Sequence, residues 1–331
     1  MNSKALTWII IIVALAGILY FGSRSLDLQR VRNTENPFEY DISEYEQSGA
    51  DSVTYEVVRE LQLDLTDPLC IALTAGDELL AGGESGIKIY NSDLEPVGEM
   101  DSPSPVLSLA ADESGLIYAV FWDHYSVYSR DGQLQLTSQA FGDTAYFTAI
   151  DVYNDRVAVA DAGHRIVRIF DRSTGEQIRT VGEKDEDAGV PEFVVPSPFF
   201  DLAIDEQGFL WVVNPGRHMF ENFTLEGDFR TQWSRTSMRA DGFSGCCNPS
   251  YFALMSDGSF VTSEKGIPRI KIHDQHGGFV TMVAPANRFH KDAVGLDVAV
   301  DSQDRVWVLY PKESKVLIFA KSSDLIERVL P

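Results

Sequence analysis

Short apolar runs alternate with polar turns along residues 68–331, and three of these segments share one pattern. Residues 107–120, 200–213 and 296–309 each contain an apolar strand, an Asp-x-x-Gly or Asp-x-x-Asp turn, and a second strand rich in aromatic and β-branched residues. This pattern predicts pairs of antiparallel strands joined by tight turns.

The spacing of these copies leaves room for one further unit in each gap, because they begin at residues 107, 200 and 296. Weaker copies fill the gaps at residues 147–160 and 251–261, and another begins at residue 70. Each copy is followed by a third apolar strand, a turn and a fourth strand. Six units of roughly 44 residues predict an all-β, six-bladed β-propeller with four-stranded blades.

A further strand-like stretch precedes the repeats. It covers residues 52–65, and the last repeat runs to the end of the chain at residues 329–331. We expect this early stretch to pair with the last blade, because ring closure removes the sheet edge that would otherwise invite aggregation.

The N-terminal region has a different character. Residues 5–22 are 18 residues without a charge, and at about 1.5 Å per residue such a helix nearly crosses a hydrocarbon core of about 30 Å. The predicted organisation is therefore a transmembrane anchor over residues 1–22, an acidic linker over 23–51 and a propeller over 52–331. The alternative for the first segment is a cleaved signal peptide. We expect a single-pass membrane protein with the propeller on the extracytoplasmic side.

Charge and cysteine content narrow the function classes. The chain carries 50 acidic against 27 basic residues, a net charge of −23, so binding to a phosphate backbone has no electrostatic support and no nucleic-acid partner is expected. Three cysteines cannot form a disulfide-rich scaffold. The sequence also lacks a Gly-rich phosphate loop and a Gly-x-Ser-x-Gly nucleophile elbow.

Residues 159–175, which include the run Arg-Ile-Val-Arg-Ile-Phe-Asp-Arg-Ser-Thr-Gly, resemble the strand-turn-strand core of NHL-repeat propellers. Residues 204–212 follow the same pattern. The resemblance extends over residues 68–331 and implies a six-bladed ring. It implies little about activity, because NHL-like rings serve as lyases, lactonase relatives, kinase sensors and interaction platforms.

Unusual side chains concentrate in the loops after the second strand of each unit and in one link between units, which share one face of an up-and-down ring. We expect ligand or partner binding on that face, by Trp122, His124, Arg165, Arg217, His218, Cys246, Cys247, Asn248, Glu264, Lys265 and Arg269.

The adjacent pair Cys246-Cys247 is the most distinctive element. It fits a structural turn or a vicinal disulfide, a redox or binding contact, or a catalytic pair or a pair of soft metal ligands. Cys70 alternates with apolar neighbours in a predicted inner strand and is expected to be a buried apolar residue.

Loop histidines suggest a metal site. His124, His164 and His218 occupy equivalent loops of three consecutive units, and His164 and His218 are the candidate ligands for a divalent metal ion. The alternative is that these histidines are solvated or cap backbone groups. No assembled catalytic constellation is recognisable.

These observations favour a membrane-anchored propeller that acts as a binding or scaffold subunit, its partner being a protein in or near the membrane. The adjacent cysteines make a redox-related membrane complex the preferred setting. The alternative function is a metal-dependent hydrolase or lyase, lactonase-like or amidating-lyase-like, built on loop His, Asp and Glu side chains.

Overall fold

The structure is a computed structural model that describes residues 8, 12–18, 20, 41–183 and 192–327. Residues 12–18 are helical. Most of the predicted anchor and of the linker as far as residue 40 lie outside the described residues. No helix within the described ranges is long and apolar enough to cross a bilayer.

Six four-stranded antiparallel sheets form the body of the protein, which confirms the predicted six-bladed propeller. The first strand, β1 (Tyr55–Gln62), belongs to the last blade. Blade 1 contains β2 (Pro68–Leu73), β3 (Leu79–Gly83), β4 (Gly86–Tyr90) and β5 (Pro96–Asp101). Blade 2 contains β6 (Ser108–Ala111), β7 (Ile117–Val120), β8 (Tyr125–Tyr128) and β9 (Leu134–Thr137).

The next two blades follow the same up-and-down order. Blade 3 contains β10 (Phe147–Tyr153), β11 (Arg156–Asp161), β12 (Ile166–Asp171) and β13 (Gln177–Val181). Blade 4 contains β14 (Leu202–Ile204), β15 (Leu210–Asn214), β16 (Met219–Phe223) and β17 (Phe229–Ser234).

Blade 5 contains β18 (Tyr251–Leu254), β19 (Phe260–Ser263), β20 (Ile270–His273) and β21 (Phe279–Ala284). Blade 6 contains β22 (Val298–Val300), β23 (Val306–Tyr310) and β24 (Lys315–Lys321). Short helical turns occur at Ser43–Glu46, Ala50–Ser52, Pro215–Arg217, Ala286–Arg288, Pro311–Glu313 and Ser322–Glu327.

The ring closes through blade 6, whose outermost strand is β1 from the beginning of the propeller. β1 pairs antiparallel with β24 from Tyr55 opposite Lys321 to Gln62 opposite Lys315. The sheet order β1-β24-β23-β22 confirms that the stretch before the repeats closes the ring. The fourth strand of blade 6 therefore comes from the N-terminal side of the propeller.

The repeated turn between the first and second strands has a common chemical basis. In blade 6, Asp301 Oδ1 accepts hydrogen bonds of 3.0 Å from the amides of Gln303 and Arg305, and its Oδ2 accepts one of 2.8 Å from the Trp307 indole. Asp112 and Asp205 hold the corresponding turns. One aspartate thus fixes both the turn and an aromatic side chain of the next strand.

Apolar side chains fill the spaces between neighbouring blades. In the cluster between blades 5 and 6, Val261 and Ile270 pack with Val306 and Val308. In the cluster that links blades 6 and 1, Trp307 packs with Leu79 and Ala81. Because each sheet buries its faces against two neighbours, the loops at the blade ends are held on a rigid ring.

Candidate functional site

The predicted site residues lie in loops at one end of the blades. Because each blade runs up and down, the loops between second and third strands and the links from one blade to the next emerge on the same side. We call this side the upper face. It carries Trp122 and His124 after β7, His164 and Arg165 after β11, Arg217 and His218 after β15, Glu264, Lys265 and Arg269 after β19, and Cys246, Cys247 and Asn248 in the link between β17 and β18.

The segment that carries the two thiols is held on both sides. On its N-terminal side, His218 Nε2 donates a hydrogen bond to the carbonyl of Gly245, a residue with φ of +77° that favours glycine. On its C-terminal side, Asn248 Nδ2 donates hydrogen bonds to the carbonyls of Ser244 (2.6 Å) and Lys265 (2.9 Å). The Lys265 amide in turn donates to Asn248 Oδ1. His218 and Asn248 therefore position the thiols.

Cys246 and Cys247 are both free thiols, with their Sγ atoms 3.2 Å apart. Cys246 is exposed, whereas Cys247 is 1% exposed. The ammonium of Lys265 lies beside them. It donates a hydrogen bond of 3.3 Å to Ser197 Oγ and stands 4.5 Å from the centre of the Phe199 ring.

The neighbouring groups shift the pKa values of the two thiols in opposite directions. Burial opposes ionisation of Cys247, but hydrogen bonds with Ser197 and Cys246 and the charge of Lys265 lower its pKa. The hydrogen bond with Cys247 and the charge on that neighbour raise the pKa of Cys246. The negative charge of the pair is therefore held on the sulfur of Cys247.

The third cysteine belongs to the core. Cys70 lies in β2, is 2% exposed, and packs against Gly82 and Val106. Burial raises the pKa of the Cys70 thiol well above its usual value, and the charge of Asp297 adds to this effect. The thiol is therefore unreactive in the folded protein.

The loop histidines contact nearby protein groups. His124 Nδ1 pairs with Asp123 at 2.9 Å, and His164 Nδ1 lies 2.7 Å from Asp161 Oδ2. Both ring nitrogens of His218 have protein partners, Thr236 and Gly245. Within residues 41–183 and 192–327 no three His, Cys, Asp or Glu side chains group as metal ligands. The predicted divalent metal at His164 and His218 thus gains no support from this geometry.

Two predicted binding residues, Glu264 and Arg269, are fully buried. Arg269 Nε donates a hydrogen bond of 2.8 Å to Glu264 Oε1, and its Nη atoms donate to the carbonyls of Tyr45, Met238 and Arg239. Arg269 therefore attaches the Ser43–Glu46 helix and the β17–β18 link to blade 5. Neither side chain is presented to a ligand on the upper face.

Lys271 completes this buried group and was not recognised from the sequence. Its Nζ lies 2.6 Å from Glu264 Oε1 and donates to the carbonyl of Gly242. Burial lowers the pKa of Lys271 to about 8, against the opposing charge of Glu264. The alternation along β20 places Lys271 on the same side as His273, and both are fully buried. Alternating apolar and polar residues normally indicate that the polar side faces solvent, so the sequence pattern did not predict that Lys271 is buried.

The remaining predicted residues are presented to solvent. Trp122 is 55% exposed, and its ring meets that of Tyr146 edge-on at 4.1 Å. Arg165 and Arg217 are exposed, Arg165 with φ of +59°. Among the predicted binding residues, the exposed chemistry is thus the Trp122 ring, two guanidinium groups and the Cys246 thiol.

Comparisons with known proteins support the fold alone. No protein-family model matches the chain, and no curated protein matches it. Solved structures with the same architecture include a streptogramin B lyase (TM-score 0.59, 11% identity, 81% of this chain and 98% of that chain) and a virginiamycin B lyase from Staphylococcus aureus (0.57, 12%, 80% and 99%). The WD40 β-propeller domain of Doa1 is also similar (0.53, 12%, 80% and 97%). Membership of the NHL-repeat family stays a prediction.

Proposed function

We propose that this chain is an NHL-like propeller whose upper face binds a protein partner that presents carboxylate groups. The observation that carries the proposal is the exposure of Trp122 on the same face as Arg165 and Arg217. Tryptophan and arginine are the side chains that contribute most to protein–protein interfaces.

Charge supports a partner with an acidic surface. The chain has a net charge of −23, so most of its surface repels an acidic protein. The exposed guanidinium groups of Arg165 and Arg217 place positive charge on the upper face, and each can bind a carboxylate through two parallel hydrogen bonds. Binding would therefore be oriented, with the upper face toward the partner.

We further propose that residues 5–22 anchor the propeller in a membrane with its body on the extracytoplasmic side, and that the partner is a membrane protein or is held near one. The support is the run of 18 residues without a charge. A binding role is preferred to a metal-dependent hydrolase or lyase, because the ring nitrogens of the candidate ligands His164 and His218 already have protein partners.

The test is capture of partners by the full-length chain from detergent-solubilised membranes of its own source, after crosslinking. Trp122→Ala and Arg165→Glu should each reduce capture of the same protein by tenfold or more, an effect of about 1.4 kcal/mol. Leu134→Ala is the matched control, because Leu134 is 59% exposed on the outer strand β9 of the same blade as Trp122. Equal capture by all variants would overturn the proposal.

A further inference from the structure

The two adjacent thiols of the upper face are placed for chemistry that partner binding does not need. Their sulfurs are 3.2 Å apart, close enough for a proton to transfer from one to the other or for a disulfide bond to form between them. One thiol is exposed and the other is buried, so a large reactant can reach only one. Lys265 and Ser197 hold the buried thiol.

We propose that Cys246 and Cys247 form a redox-active dithiol that reduces accessible disulfides, with Cys246 as the entry thiol and Cys247 as the thiol that closes the protein disulfide. The substrate class is an organic or protein disulfide that can approach the upper face. This goes beyond partner binding, because the reaction requires only the isolated propeller.

The reaction proceeds in two exchanges. In the singly deprotonated pair, the proton passes from Cys246 to the Cys247 thiolate as the Cys246 sulfur attacks one sulfur of the substrate disulfide, the substrate S–S bond breaks, and one thiolate leaves. That thiolate takes the proton. The Cys247 sulfur then attacks the Cys246 sulfur of the mixed disulfide and expels the second thiolate. Two electrons pass from the pair to the substrate, which ends as one thiol and one thiolate.

Each neighbouring group has a defined part in this scheme. Lys265 is a positioning residue whose ammonium favours the thiolate form of Cys247, and the Ser197 hydroxyl supports the same state. Asn248 ties the thiol segment to the backbone of Lys265 through reciprocal hydrogen bonds. The cation is therefore fixed relative to the sulfurs although the two lie in different blade loops.

The product disulfide would be easily reduced again. Adjacent Cα atoms are about 3.8 Å apart across a trans peptide, which is below the 4.4–6.8 Å that disulfides usually join. A strained disulfide has an oxidising potential and belongs to catalytic or regulatory sites, whereas a structural disulfide is thermodynamically resistant to reduction. The dithiol is therefore a weak reductant: it reduces disulfides of more oxidising potential, such as strained disulfides or those that release a stable thiolate, and other thiols readily return its own disulfide to the dithiol.

The test uses purified folded protein and dithiobis(nitrobenzoate), an aromatic disulfide whose released thiolate is coloured. The wild type should release two thiolates per chain, and its intact mass should fall by that of two hydrogen atoms with no adduct. Cys247→Ser should release one thiolate and retain the adduct on Cys246. Cys246→Ser should react at least tenfold more slowly, because Cys247 is buried.

The control is the double variant Cys246→Ser/Cys247→Ser, in which only Cys70 remains and no release is expected until the protein is unfolded. Release of a single thiolate by the wild type with a stable adduct would overturn the proposal, as would no release at all. Faster reaction of Cys246→Ser than of Cys247→Ser would overturn the assigned roles.

Lys265 gives a second readout that a purely structural role would not change. Lys265→Gln should move the pH midpoint of the second thiolate release upward by about one unit and slow that release about tenfold near neutral pH. Lys265→Arg should restore the midpoint. Lys312→Gln is the matched control, because Lys312 lies in the equivalent loop of blade 6. An unchanged midpoint in Lys265→Gln would remove Lys265 from the scheme.

Discussion

The carboxylate of Asp297 in blade 6 accepts a hydrogen bond of 2.8 Å from the backbone amide of Ile71 in blade 1. This bond crosses the seam where the ring closes. Asp151 and Asp201 make the equivalent bonds to the amides of Ile204 and Phe252 in the blades that follow them. Each aspartate also accepts a bond from the amide of its own successor, so one carboxylate joins the innermost strands of two blades.

These hydrogen bonds predict that the stability of the ring at its closure depends on pH. Burial raises the pKa of Asp297 to about 7, although the amides of Ile71 and Val298 favour the charged form. The folded state therefore binds a proton that the unfolded state releases above pH of about 4, so the stability from protonated Asp297 is present at acidic pH and is lost as the pH rises through about 7. Nearby Asp201, whose pKa is raised by its own burial and then by the charge of Asp297, shifts in the same direction.

The side chain introduced by Asp297→Asn is uncharged at every pH and keeps only one of the two oxygens that accept the amides of Ile71 and Val298. We expect urea unfolding at pH 5 to show a loss of about 1–3 kcal/mol relative to the wild type, and at pH 8 a smaller loss, because the wild type then bears the cost of the ionised carboxylate. Asp171→Asn is the control of opposite sign, since hydrogen bonds from Ser173 and Thr174 lower the pKa of Asp171. A loss at Asp297 that grows between pH 5 and pH 8 would contradict the assignment.

The regular part of the fold was predictable because its chemistry is local. The turn at Asp301 is held by amides two and four residues later and by the indole of Trp307 six residues later. Such contacts leave a repeated pattern in the sequence, and that pattern predicted both the blade number and the strand pairs.

The site was predictable only in part, because its decisive contacts join distant residues. Ser197 and Lys265 are 68 residues apart, and nothing in either local sequence shows that they meet beside Cys247. Glu264 and Arg269 lie in a polar loop, which suggested exposure. Their burial depends on the β17–β18 link and on the carbonyl of Tyr45, segments that no local pattern connects to blade 5.

The pairing of β1 with β24 predicts that the propeller needs β1 to fold as a closed ring. A chain that begins at residue 63 lacks β1 and leaves β24 with an unpaired edge in blade 6. We expect it to aggregate or to lose cooperative thermal unfolding, because an open edge strand pairs with other chains. A chain that begins at residue 43 retains β1 and the Ser43–Glu46 helix and should be monomeric by light scattering with cooperative unfolding. Equal behaviour of the two chains would show that β1 is dispensable.

Substitution of two arginines in one region of the molecule should lower the unfolding free energy by very different amounts. Arg269 is fully buried and donates to Glu264 and to three backbone carbonyls, whereas Arg239 pairs with Glu44 at the surface, with both side chains more than two-thirds exposed. Arg269→Met leaves buried acceptors without a donor and should cost about 3–5 kcal/mol of unfolding free energy. Arg239→Met should cost about 0–1 kcal/mol, because exposed ion pairs are screened by water.

A local measurement separates the role of Arg269 from general destabilisation. Because Arg269 binds the carbonyls of Tyr45 and Arg239, its loss should release the 43–52 segment first, and amide hydrogen exchange there should accelerate at denaturant concentrations where blades 1–3 remain protected. The Arg239→Met variant should leave that exchange unchanged. If exchange accelerates uniformly over all blades, then Arg269 supports the ring as a whole and does not serve as a local clamp for the early segment.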